Sequence, residues 1–163
     1  MKIRNGFVSN SSSASFVLRI DMPIIVVMDK LSKSFWKYDK DAIENWLKSE
    51  IAKVQKQIEE YKSKINVEKD TIYDLYLTQA KDRMEILKEF ENGFEKLTEE
   101  VTLRSYLCLN GVGVNSLFDK ITEISGYTFC YNGYEDIPEE MRDIMAWCAA
   151  NHINCNLEVI DED

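Results

Sequence analysis

Apolar positions between residues 41 and 104 follow a helical rhythm. Leu47, Ile51, Val54, Ile58, Tyr61 and Ile65 step by alternating fours and threes, the spacing of a helix packed along a partner helix. Tyr73, Leu77, Ala80, Met84 and Leu87 repeat that spacing, and Phe90, Phe94, Leu97 and Val101 extend it. From Asp41 through Glu91 there is neither Gly nor Pro, so nothing in the backbone chemistry interrupts a helix. The phase breaks across Asn66 to Asp70, which is polar except for Val67. That break predicts a turn and an antiparallel, coiled-coil-like helical hairpin. The competing reading is one unbroken helix of about 50 residues, roughly 75 Å long, which needs a second chain to bury its seam. Asn92-Gly93 is a helix stop, leaving Phe94 to Leu103 as a separate short helix.

The flanking segments alternate as strands do. Phe16, Leu18 and Ile20 fall on one side and Arg19 on the other, predicting a half-buried strand. Asp21-Met22-Pro23 makes a turn, and the β-branched run Ile24 to Met28 suits a central strand. Asp41 with Glu44 forms a capping box for the first long helix. Beyond the hairpin, Tyr106 to Leu109 reads as a strand, and Asn110-Gly111-Val112-Gly113 as a turn. Asn115 reads as the cap of a helix with Leu117, Phe118, Ile121 and Ile124 on one face, closed by Gly126. A strand follows over Tyr127 to Tyr131. Asp136-Ile137-Pro138-Glu139 then opens a last helix with Met141, Ile144, Met145 and Cys148 inward, and Ile153, Cys155, Leu157 and Val159 alternate as a final strand. The back third is thus read as β-α-β-α-β with right-handed crossovers.

Charge narrows the partners. Residues 1–40 hold seven Lys/Arg against three Asp/Glu, 41–104 eleven against fifteen, and 105–163 only Lys120 and Arg142 against eleven acids, within a net charge of −9. A duplex-binding surface needs clustered cations, so double-stranded nucleic acid is excluded as a partner. The acidic group Glu135, Asp136, Glu139, Glu140 and Asp143 suits a basic protein partner, or mimicry of nucleic acid toward a protein that binds it. Phe35, Trp36 and Tyr38 beside Lys30, Lys33, Lys37 and Lys40 can stack single-stranded bases, but aromatics just before a helix more often plug its base into the core. The longest apolar run, Ile24 to Met28, is far too short to span a bilayer, and no signal-peptide pattern is present. At 163 residues and 45% hydrophobic content, one domain can bury a core without metal or disulfide.

The opening is the most distinctive stretch. Five serines crowd residues 9–15, between the apolar anchors Phe7, Val8 and Phe16. Residues 1–15 therefore read as a Ser-rich leader, with Phe7, Ser9, Asn10, Ser11 and Phe16 as candidate docking residues. The run from Arg4 to Phe16, RNGFVSNSSSASF, resembles the R-x-G-F-V-S-N-S-S-S-S-S-F opening of a scattered group of uncharacterised bacteriophage and bacterial proteins, departing from it at Ala14. The resemblance covers 13 of 163 residues and implies an origin and a leader role such as targeting or incorporation into a particle, with no activity attached. It places the protein in the host cytoplasm or within a virus-like particle.

Three constellations bear on chemistry. Gly111-Val112-Gly113 between an expected strand and helix has the outline of a phosphate-cradling turn, but Ser116 stands where a dinucleotide fingerprint wants its third glycine, and no Walker lysine follows. Cys148, His152 and Cys155, with Cys108 or Cys130, supply enough soft ligands for zinc, at a spacing that is neither ribbon nor finger. A Cys155–His152 nucleophile pair lacks a glycine-rich elbow, and the many carboxylates, among them Glu59, Glu60, Glu99 and Glu100, fall on expected solvent faces. The sequence therefore predicts an α+β domain over residues 16–163. It has a small mixed sheet of four or five strands, packing helices, and residues 41–104 inserted as a helical arm. The function expected is non-enzymatic: a phage-type interaction or particle-associated protein acting through the hairpin and leader on a protein partner or on itself, with no cofactor, metal, membrane or small molecule. The alternatives are an acidic inhibitor of a nucleic-acid-binding host or defence protein, and a small enzyme with a zinc or nucleotide site.

Overall fold

The computed structural model describes residues 13–67, 71–129 and 132–162. The fold is α+β, and the chain divides into two compact units, one formed by residues up to 31 together with those from 104 onward, the other by residues 32–103.

The first unit is built on a four-stranded sheet, β1 (Ser13–Ile20), β2 (Gly113–Leu117), β3 (Ile121–Thr128) and β4 (Cys155–Glu162), in the order β2-β3-β1-β4. All three ladders are antiparallel, which corrects the expected mixed sheet. β1 begins at Ser13, inside the stretch expected to be leader, and pairs along its length with β4 on one edge and β3 on the other. Its alternation is strict: Ala14, Phe16, Leu18 and Ile20 are fully buried. Thr122, Ile124 and Gly126 share that face in register, and Thr122 is buried because its hydroxyl donates to the Met22 carbonyl at 2.8 Å. On the opposite face Arg19 of β1 bridges to both neighbouring strands, its Nε 3.3 Å from Glu123 of β3 and its Nη1 2.6 Å from Glu158 of β4. The hydrogen bond to Glu158, aided by both carboxylate charges, raises the guanidinium pKa above its usual value.

Helix α5 (Glu139–Ala150) buries Met141, Ile144, Trp147 and Cys148. It approaches β3 closely because position 126 carries no side chain. A Cβ there would lie 2.6 Å from Met141 Sδ and 2.9 Å from Pro138 Cγ. Gly126 was expected to close a helix and instead clears space on a strand. The expected capping box is not formed either: Pro138 precedes the helix with its carbonyl accepting from Arg142 N at 3.1 Å, while the Asp136 carboxylate accepts from the Asn132 amide.

Three further expectations are corrected. Ile24 to Met28 is not a strand but the start of α1 (Ile24–Ser34), with Val27, Met28 and Leu31 buried at helical spacing. Tyr106 to Leu109 is the end of α4 (Glu99–Leu109), capped by the Thr98 hydroxyl on Val101 N at 3.3 Å. Residues 115–125 form no helix, since the chain reverses between β2 and β3. Phe118 and Asp119 hold φ of 54° and 55°, and Lys120 N donates to the Leu117 carbonyl at 3.1 Å, in the manner of a primed hairpin turn.

The second unit contains α2 (Lys40–Val67) and α3 (Ile72–Gly93), so the 41–91 stretch is two helices rather than one. They run antiparallel: Arg83 Nη2 meets Glu50 Oε1 at 3.1 Å, and Tyr61 meets Tyr73 and Tyr76 at ring separations of 6.4 and 5.6 Å. Leu47, Val54, Ile58, Ala80 and Leu87 of the two seams are buried. The cap of α2 lies earlier than the expected Asp41 and Glu44, with Asp39 Oδ1 accepting from Ala42 N at 2.7 Å. At the open end Lys40 Nζ donates to the carbonyls of Leu97 (2.7 Å) and Glu95 (3.2 Å) and lies 5.3 Å from the Phe94 ring centre.

Three substitutions check these assignments. Gly126→Ala forces its methyl against Met141 and Pro138 and is expected to destabilise by about 1–3 kcal/mol in urea denaturation, whereas Gly93→Ala, with nothing within 4 Å of the added Cβ, changes stability little or raises it. Phe118→Asn replaces a bulky residue at positive φ by one that tolerates it and is expected to gain about 1 kcal/mol in the same measurement.

Candidate functional site

The residues singled out from sequence do not come together as one site. Phe7, Ser9, Asn10 and Ser11 lie outside the described residues. Phe16, expected as a docking residue, is fully buried on the covered face of β1 and is a core side chain. Of the acidic group, Glu135 and Asp136 sit in the single turn Tyr134–Asp136, Glu139 is exposed at the start of α5, and Asp143 is half-buried one turn on. Glu140 is only 9% exposed, and its Oε1 accepts from the Tyr106 hydroxyl at 3.2 Å. The reason is helical geometry: Glu140 adjoins Met141 and Ile144 on the inner side of α5, so only part of the expected acidic face meets solvent.

The glycine turn is also recast. Gly111, at φ 79°, ends α4: its amide donates to the Cys108 carbonyl at 3.0 Å, and Val112 N donates to the Leu107 carbonyl at 2.9 Å. This is a Schellman closure, with helix before and strand after, the reverse of the strand–turn–helix that a phosphate cradle requires. No helix N-terminus follows these glycines, and the nucleotide reading is set aside.

His152 does the same work at the other helix end. It holds φ 56° just past α5, its amide lying 3.4 Å from the Ala149 carbonyl, while Ile153 N donates to the Cys148 carbonyl at 2.9 Å. The turn brings β4 back toward α5 and sets Cys155 beside Cys148, with the His152 side chain exposed. Among the described residues no group of three or more His, Cys, Asp or Glu can hold a metal ion, and Cys148, His152 and Cys155 form no such group. Burial pushes the Cys148 thiol up to about 12, with further contributions from the charge of Cys155 and a hydrogen bond to it. A sulfur so reluctant to ionise is a poor nucleophile and a poor metal ligand.

The basic and aromatic stretch before α2 divides in two. Tyr38 is buried with Phe35 packed on it at 4.9 Å between ring centres, while Trp36 is exposed. Sequence reasoning missed a different cluster, where α2 ends and α3 begins. Val67, Ile72, Leu75 and Tyr76 are all exposed there, beside the mutually packed Tyr61, Tyr73 and Tyr76. The signal was available, since Ile72, Leu75 and Tyr76 are apolar yet fall off the seam defined by Tyr73, Leu77 and Ala80. No described helix is long and apolar enough to cross a membrane. Compared with known proteins, the chain matches no family model, no curated protein and no solved structure.

The Cys148 environment has a measurable consequence. An unfolded thiol ionises near 9, whereas folded Cys148 keeps its proton until about 12, so the unfolded state binds fewer protons between those values. Stability contributed by this group is present below about pH 9 and lost as pH rises toward about 12. Comparing the pH dependence of urea unfolding in wild type and Cys148→Ala is expected to show a shallower alkaline decline in the variant.

Proposed function

We propose that this is a non-enzymatic protein–protein interaction module, phage-type in origin, in which α2 and α3 act as a coiled-coil-like hairpin presenting its connected end to a partner. The observation that carries the reading is the exposed apolar cluster there: Val67 is 78% exposed, Leu75 55%, Ile72 43% and Tyr76 38%. Val67 ends α2 while Ile72, Leu75 and Tyr76 open α3, and a grouping of exposed large apolar side chains suits an interaction surface. Tyr76 packs in turn on Tyr61 of α2 and on Tyr73, so ring contacts tie the two helices together at this end. The Glu50–Arg83 pair braces the two helices farther along, and Lys40 at the start of α2 holds the carbonyls of Glu95 and Leu97 just past α3. Residues 1–12 are proposed as a second contact, on the strength of their resemblance to the phage and bacterial openings. The acidic-inhibitor reading is weaker, because Glu140 is buried and engaged by Tyr106.

The test is native mass spectrometry and light scattering on the full chain, the Val67→Ser/Leu75→Ser double variant and a version lacking residues 1–12. Self-association or binding of a purified partner is expected to weaken at least about fivefold for each anchoring side chain removed, with the helical circular dichroism of the double variant unchanged. A wild-type chain that stays monomeric and binds no candidate partner, or a double variant that binds as wild type does, would remove the hairpin end from consideration.

A further inference from the structure

We infer that Cys148 and Cys155 form a paired dithiol that hydroperoxides convert to an intramolecular disulfide, fastening the end of α5 to the start of β4. This modification site is independent of the hairpin reading. Three features place the two sulfurs together. Cys155 pairs in register with Ile20, a fully buried residue, so its side chain shares the covered face of the sheet. Cys148 is itself fully buried on the inner side of α5. The turn between them is closed by the 2.9 Å bond from Ile153 N to the Cys148 carbonyl, and Cys155 lies near enough to help raise the Cys148 pKa.

The pair is asymmetric in access. Cys148 has no exposed surface, while Cys155, at the start of the edge strand, is only half-buried. Oxidant therefore meets Cys155 first. Its deprotonated sulfur attacks one peroxide oxygen, the O–O bond breaks, and Cys155 becomes a sulfenic acid as hydroxide or alkoxide departs with the electron pair. Cys148 then attacks the Cys155 sulfur. The S–S bond forms, the S–O bond breaks, and the departing hydroxide takes the Cys148 proton as water. Two thiols are oxidised by two electrons in total and one peroxide is reduced. High pKa at Cys148 slows attack by the free thiol, but contact with the sulfenic acid makes the second step intramolecular.

The consequence lies at an edge of the sheet. β4 is the outer strand beside β1 and has no neighbour on its far side among the described residues. A bond from its first residue to α5 would close an eight-residue loop and hold that edge in register.

The experiment treats the full chain with hydrogen peroxide, blocks remaining thiols with N-ethylmaleimide under denaturing conditions and maps the tryptic peptides. Both cysteines fall in the peptide spanning residues 143–163, whereas Cys108 and Cys130 fall in others. The expected result is that this peptide loses both maleimide labels and two hydrogen masses, that dithiothreitol restores both labels, and that oxidised protein melts at a higher temperature than reduced protein. Cys155→Ser should abolish the change, and Cys148→Ala should instead carry Cys155 on to the sulfinic acid. Retention of both labels, overoxidation of Cys155 in wild type, or a disulfide joining either cysteine to Cys108 or Cys130 would overturn the assignment.

Discussion

The first unit depends on β1 receiving a strand along both of its edges. Its partners, β3 and β4, lie more than 100 residues away in sequence, so closing the sheet must offset the entropy of ordering a long intervening chain. Strict burial of every second residue in β1 makes that closure specific, because a slip of one position would turn Phe16, Leu18 and Ile20 to solvent. The polar face carries its own register mark, with Arg19 held between Glu123 and Glu158 on the two neighbouring strands.

Helix α5 completes the covered face, and its distance from the sheet is set by a missing side chain. Gly126 brings Met141 and Pro138 to within contact of the β3 backbone, which buries Ile144, Trp147 and Cys148. The return from α5 to β4 uses a Schellman closure with His152 at positive φ, and α4 ends in the same way at Gly111. Two residues that sequence chemistry marks for catalysis or phosphate binding thus serve as helix terminators. The same geometry that retires them sets Cys155 against Cys148.

The second unit follows a different logic. Its helices bury a shared apolar seam, yet the connected end keeps apolar side chains outward, and these have no core to fill within the pair. A surface that is both apolar and braced by packed tyrosines is the feature most in need of a functional explanation, and the interaction reading rests on it.

The chemistry of individual residues was enough to determine some elements. Strict alternation identified β1 and most of β4, and the absence of Gly and Pro with a regular seam identified α2 and α3, because those patterns are long and point one way. The phase break at residues 66–70 placed the division between the two helices for the same reason. Other segments were ambiguous by nature. Ile24 to Met28 fits a strand or a helix until Leu31 is counted, and only its burial with Val27 and Met28 decides. Leu117, Phe118, Ile121 and Ile124 fit a helix face equally well, and the left-handed turn at Phe118 and Asp119 carries no Asn-Gly signal to reveal the hairpin. Whether Gly126 ends a helix or clears a strand, whether Glu140 faces water or Tyr106, and whether Cys148 meets Cys155 all depend on groups distant in the chain. Local pattern records what a residue prefers, and only tertiary packing supplies the neighbour against which that preference is expressed.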